Sequence, residues 1–316
     1  WALKSMFMLL SRDRMKRILI AALAVFLTVS YSQAQDVAFG WMCQRNDPAS
    51  VAMAGVSVVP SSDISFSAFR NPAVMPYSEN RFSAAAAYSP ALGQKTSSGL
   101  DVGAGARIGD RVGLSVAGNY NTGGEYEVID DQGNRNGTFK TSSMLFSAGL
   151  GLKVLDALSF GVNLKYAGER LAADSKQGVF ASDVYALYRW RMLRFSAGIA
   201  NVGTSVKDAS GASYNIPSSV RLAAGYGQAF GDRHSFDAGV DADCFFAGGL
   251  ALSGGVQYGF NNMIFARAGY RASGSDLVAS GVSAGIGCKF YGVRVDFAWQ
   301  GTSSLNILAF SLGYSF

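Results

Sequence analysis

Leu305-Asn-Ile-Leu-Ala-Phe-Ser-Leu-Gly-Tyr-Ser-Phe316 decides how this chain is read. Leu308, Phe310, Leu312, Tyr314 and Phe316 are large and apolar, and Ala309, Ser311, Gly313 and Ser315 between them are small or polar. A strict period of two puts the two sets on opposite faces of a strand. An aromatic-rich face and a small, polar face suit a strand with lipid outside and a lumen inside.

Upstream the same unit recurs. From residue 81 onward, alternating stretches of ~10 residues lie near 81–90, 99–108, 111–120, 142–154, 157–168, 178–189, 191–201, 218–230, 235–243, 249–260, 263–271, 279–289, 291–299 and 304–316. The breaks between them alternate in length. Short ones fall at Gly109-Asp110, Leu155-Asp156, Trp190, Gly231-Asp-Arg-His234, Asn261-Asn262 and around Phe290. Long ones fall at 91–98, 121–141, 169–177, 202–217, 244–248, 272–278 and 300–303. Short turns at one end and long loops at the other are what an even-stranded barrel with both ends in the periplasm requires. The expected fold class is all-β: a transmembrane antiparallel β-barrel of about fourteen strands over residues 81–316, with aromatic girdles at Tyr120, Tyr166, Tyr226, Tyr258, Tyr270 and Trp299.

Composition agrees. Only 16% of the 316 residues are charged and 38 are Gly, whereas soluble domains average nearer a quarter charged. Past residue 30 no apolar run approaches the ~20 residues of a membrane helix. Residues 1–34 read as an upstream extension and a signal peptide, with Lys16 and Arg17 ahead of an apolar core from Ile18 to Val29 and a Ser32-Gln33-Ala34 cleavage site. The formal charge of +5 comes from 27 basic and 22 acidic residues. Lys4, Arg12, Arg14, Lys16, Arg17 and Asp13 leave with the leader, so 22 basic face 21 acidic residues in the remainder. That balance gives no support to a nucleic-acid partner. Residues 35–80 do not alternate and carry Pro48, Pro60, Pro72 and Pro76; they are expected to form an N-terminal plug in a lumen of this width.

Parity assigns sides. Leu158, Phe160, Val162, Leu164 and Tyr166 oppose Ser159, Gly161, Asn163 and Lys165; Val293, Val295 and Phe297 oppose Arg294 and Asp296. The expected inner face collects Lys165, Asp183, Arg221, Asp237, Asp241, Asp243, Arg267, Arg271, Arg294 and Asp296. Charges in such a wall need partners or water, so they form either ion pairs packed against a plug or a polar permeation path. In Val102-Gly-Ala-Gly-Ala106 no helix follows the Gly-x-Gly, and these glycines are expected to let the wall approach the plug.

The residues then become specific enough to suggest a family. Asp47-Pro-Ala-Ser-Val-Ala-Met-Ala-Gly, running on to Phe69-Arg-Asn-Pro-Ala73, resembles the N-terminal plug of the FadL superfamily, in particular its PorV/PorQ branch. The segment Gly124–Phe139, Phe160-Gly-Val-Asn-Leu-Lys-Tyr166, Ser196–Gly203 with Ile216–Tyr226, and Arg267-Ala-Gly-Tyr-Arg271 are similar to that branch in the same order. The terminal Leu312, Tyr314 and Phe316 resemble the assembly signal of bacterial outer-membrane barrels. The resemblance implies a plug turn at Asn71, Pro72 and Ala73, and the outer membrane of a Bacteroidota-type bacterium with its lipid as partner. It also implies a role in type IX secretion, with secreted cargo C-terminal domains or surface-complex subunits as partners.

Catalytic chemistry finds little material. The single histidine, His234, falls in a short turn beside Asp232 and Arg233. No Ser/His/Asp arrangement or metal set is recognisable, and no cofactor is expected. Asp130-Asp-Gln-Gly-Asn134 lacks the ligand order of a calcium loop and reads as a turn. Cys43, Cys244 and Cys288 are odd in number; a Cys43–Cys244 disulfide is conceivable in an oxidising compartment, and Cys288 falls on an apolar face. The first functional reading is therefore a PorV/PorQ-type barrel that shuttles or anchors secreted proteins. The alternative is a FadL-like channel for hydrophobic small molecules, and a third reading is a scaffold barrel without transport.

Overall fold

The computed structural model describes residues 37–316 except 45–46, 60–62, 91, 93–96, 130–131, 173–174, 208–210 and 303–305. The leader and its cleavage site lie outside the described residues, as do Asp130 and Asp131.

Fourteen strands close into one antiparallel barrel. In chain order they are β1 (Phe82–Ser89), β2 (Ser98–Ile108), β3 (Val112–Ile129), β4 (Arg135–Leu155), β5 (Leu158–Ala172), β6 (Ser175–Trp190) and β7 (Leu193–Gly203), then β10 (Ser219–Phe230), β11 (His234–Phe245), β12 (Leu250–Phe260), β13 (Ile264–Ser273), β14 (Gly281–Phe290), β15 (Val293–Thr302) and β16 (Asn306–Ser315). A two-stranded pair outside the wall, β8 (Val206–Lys207) with β9 (Ser213–Tyr214), occupies the connection from β7 to β10. Closure matters because a spanning sheet can leave no edge unpaired in hydrocarbon.

The seam is made by the terminal strand. β16 pairs with β1 from Ser83↔Ser315 to Tyr88↔Phe310. The Phe316 carbonyl accepts from the Arg81 and Phe82 amides at 2.7 and 3.0 Å, and its ring lies 5.5 Å from that of Phe82. Outward residues stay large and exposed, including Leu312, Tyr314 and Phe316, while the intervening positions are buried or half-buried.

Two expectations change. The long loop expected at 121–141 is largely strand: β3 and β4 run on as a ribbon paired as far as Ile129↔Arg135. Exposed ion pairs Glu127–Arg135 at 3.0 Å and Glu125–Lys140 at 3.8 Å decorate this ribbon. The loop expected at 169–177 shrinks likewise, because β5 and β6 stay paired to Ala172↔Ser175. Both segments alternate poorly because neither face of a ribbon beyond the wall is buried, so pairing there leaves no hydrophobic period to read.

Residues 37–80 pass through the lumen. They form η1 (Gly40–Cys43), a single-turn α1 (Pro48–Ala52), η2 (Ser67–Phe69) and η3 (Pro72–Tyr77). Asp47 caps α1 by accepting from the Ser50 amide at 3.2 Å, with Pro48 at the first turn. At one end of this path Val37 bridges Asn215 beyond β9, and at the other Arg81 joins the C-terminal residue. The segment thus enters at the long-loop end and leaves at the short-turn end. Buried Ile64, Phe66, Met75, Val51 and Val58 make it the core of the barrel.

Candidate functional site

The inner wall is shaped to the luminal segment, mainly by glycine. A Cβ on Gly103 would stand 2.5 Å from the Ser65 carbonyl oxygen, and one on Gly105 equally close to that of Ile64. Gly151 and Gly161 face Pro72 and Ala73 in the same way. On the far side Gly255 and Gly269 meet Met53, and Gly285 meets Ala52. Each absent side chain lets a strand touch the backbone of the segment.

Polar side chains of the wall then bind that backbone. Ser147 donates to the Ala68 carbonyl at 2.6 Å, Ser159 to that of Ala73 at 2.7 Å, Asn163 to that of Arg70 at 2.9 Å and Ser283 to that of Ala52 at 3.0 Å. Asn71 is fully buried; its Oδ1 accepts from the Ala73 amide at 3.0 Å and its Nδ2 donates to Ser196 at 2.9 Å. Pro72 starts η3, and Ala73 has no exposed surface. The Asn71-Pro72-Ala73 turn is thereby held by β5 and β7.

The ten charged candidates fall into separate groups. Lys165 Nζ lies 2.6 Å from Asp183 and 2.9 Å from Asn201 Oδ1, and Asp183 also accepts from Asn163 and from the Asn201 amide. Arg221 pairs with Asp243 at 2.9 Å and reaches the Tyr185 hydroxyl at 3.3 Å. Asp241 accepts from the Ser57 amide at 3.0 Å, and Arg271 donates to the Ala54 carbonyl and to Ser253. Arg267 and Arg294 share Asp296, at 2.8 and 2.5 Å. Asp237 is alone among them in facing a cation that the sequence reading omitted, Arg194 at 3.5 Å. Counting parity back from Ser196 would have found it. Asp47 with Arg70 at 3.6 Å, and Asp101 with Asn119 at 2.7 Å, were also missed. The first lies in a segment without period; Asp101 does hold inner parity.

Cavities among the described residues flank this packed lumen. One, about 1430 Å³, is a hollow on the outer wall of β1–β7 and β16. Outward-facing Ala84, Ala86, Ala104, Gly118 and Ala148 line it, bordered by Phe146, Leu164, Phe180 and Leu312. A second, about 30 Å³, lies inside among Trp41, Asp47, Asp101 and Asn119. Lys165 lines both. Here the pairing of β6 with β7 slips between Ser182 and Val184, and Asn201 adopts φ 54°, the geometry of a β-bulge. The third cavity, about 410 Å³, is the mouth at the short-turn end, lined by Val58, Ile64, Tyr77, Leu187, Arg189, Arg194 and Arg233 among others. Burial raises the pKa of the Tyr77 phenol, against the opposing pull of the Arg189 charge.

His234 opens β11 rather than lying in the turn, and its Nδ1 is 2.7 Å from the Tyr258 hydroxyl. Cys43 and Cys244 are buried without a disulfide between them, and Cys288 is exposed. Among the described residues no group of three or more His, Cys, Asp or Glu side chains is placed to hold a metal ion.

No family model matches the chain, and no curated protein is similar to it in sequence. Solved structures do share its fold. The toluene transporter TbuX of Ralstonia pickettii is 11% identical with a TM-score of 0.61, over 85% of this chain and 98% of its own. The toluene transporter TodX of Pseudomonas putida is 13% identical with a TM-score of 0.59, over 90% and 99%. A FadL homologue of Pseudomonas aeruginosa is 11% identical with a TM-score of 0.57, over 87% and 99%.

Proposed function

We propose that this chain is an outer-membrane channel for hydrophobic small molecules of the FadL-like kind, with residues 37–80 as its plug. The observation that carries the reading is the apolar hollow of about 1430 Å³ on the outer wall, backed through Lys165 by a luminal cavity. Its likeness, over 85% and 90% of the chain, to barrels described as toluene transporters points the same way. A hydrophobic solute partitions into lipid and gains by entering an apolar recess. The β6–β7 bulge is then the place where the wall yields, with the Lys165–Asp183–Asn201 network closing the path at rest. The test is uptake of radiolabelled toluene by cells that carry or lack the gene, and by cells carrying Lys165→Met. Faster uptake with the gene, altered by the substitution, is expected; equal uptake in all three strains would sink the reading.

A second reading, a PorV/PorQ-type barrel that receives or anchors secreted proteins, rests on the sequence resemblance and on the β3–β4 ribbon. The ribbon projects charged and aromatic side chains, among them Tyr126, Glu127 and Arg135, as a docking edge would. Replacing 124–138 by a tight turn should release such a partner from the native membrane and leave toluene uptake intact. Retention of every co-purifying protein would count against this reading.

A further inference from the structure

At the short-turn end two arginines face each other across neighbouring strands. Arg189 of β6 and Arg194 of β7 are register partners, and both line the mouth of about 410 Å³. Like charges in facing positions repel, and more so away from bulk water. The fold offers little against this. Arg194 has Asp237 at 3.5 Å, a loose contact. Among the described residues no carboxylate lies within ion-pair distance of Arg189, whose guanidinium rests 4.4 Å over the Tyr77 ring.

The same mouth contains a comparison. Arg267 and Arg294 also stand side by side, but Asp296 reaches both at 2.8 and 2.5 Å. There the protein supplies the shared anion. Arg189 and Arg194 both line the open mouth, and among the described residues no carboxylate is shared between them.

We propose that Arg189 and Arg194 form a binding site for a phosphate-type oxyanion that enters from the short-turn side. Each guanidinium fork carries paired donors that match a phosphate oxyanion better than a point charge would. Val58, Ile64 and Leu187 in the same mouth give the remainder of a phosphate monoester an apolar wall. The site is independent of the outer hollow, and it stands or falls without the channel reading.

The refolded full-length barrel in detergent is titrated with inorganic phosphate, against chloride at equal ionic strength. Thermal unfolding and equilibrium dialysis of labelled phosphate are the readouts. Phosphate should raise the melting temperature saturably, because it binds the folded state alone. Arg189→Gln and Arg194→Gln should weaken binding about tenfold or more, Arg189→Lys should weaken it less, and Arg135→Gln on the exposed ribbon should leave it unchanged. Should Arg194→Gln fail to refold, the two Arg189 variants decide alone, since Arg189 holds no ion pair among the described residues. Competition by glycerol 3-phosphate assigns the site to free phosphate monoesters, and competition only by dioctanoyl phosphatidic acid assigns it to a lipid headgroup. Phosphate acting no more strongly than chloride, or undiminished binding by Arg189→Gln, overturns the proposal.

Discussion

The two halves of this wall are built differently. From β10 to β15 the outer face carries bulky Val240, Leu252, Val256, Ile286 and Val295, and the inner face carries most of the buried charge. From β1 to β4 the outer face falls back to Ala84, Ala86, Ala104, Gly118 and Ala148 around a hollow. The inner face there grips the luminal segment by glycine contact and single hydroxyls. Both halves approach the segment through glycines; the β10–β15 half adds ion pairs, and the β1–β4 half is indented on its outer face. The segment is therefore touched on all sides, while the outer face of the wall is recessed on one side only.

Substitutions can break or sharpen that contrast. The largest effect is expected in the charged half. Asp296→Ala leaves Arg267 and Arg294 buried without their shared carboxylate and should cost about 3–5 kcal/mol, read by urea unfolding of the refolded barrel. Unfolding at the wild-type midpoint would show that water replaces the carboxylate. On β5, beside the other half, Gly161→Val drives two methyl groups into Pro72 and Ala73. A loss of about 1–3 kcal/mol is expected, together with higher conductance in planar bilayers as the segment is displaced; a wild-type conductance would remove the glycine contacts from the sealing role. Ser147→Ala forfeits one hydrogen bond to the Ala68 carbonyl and should cost about 1 kcal/mol in the same urea assay. Ala104→Phe, which fills the hollow from outside, should change stability by less than about 0.5 kcal/mol yet slow toluene uptake. Normal uptake with a filled hollow would separate the hollow from transport.

Much of this contrast is legible in the amino-acid sequence. Parity alone places Lys165, Asp183, Arg221, Asp241, Arg267, Arg271, Arg294 and Asp296 on one face, and all are buried. The fourteen strands and their closure follow from the rhythm of turns and loops. Parity names a side and not a partner. Arg267 and Arg294 converge on Asp296 because β13, β14 and β15 bring three inner positions together across two registers, and no spacing along one strand encodes that. The β3–β4 ribbon escapes such a reading because an edge with both faces wet needs no hydrophobic alternation. Arg189 and Arg194 escape it for a different reason: a turn lies between them, and only the pairing shows that they face each other.

By itself the sequence determined that residues 81–316 form a barrel whose strands have one lipid-facing and one luminal side. A period of two can be satisfied in hydrocarbon only by a closed sheet. It also determined that a proline-rich, non-alternating stretch precedes them. The tertiary structure decided what that stretch touches, where the wall is recessed and which charges meet. Those depend on register, strand stagger and the absence of side chains at glycines, quantities that arise between strands and have no signature along any one of them.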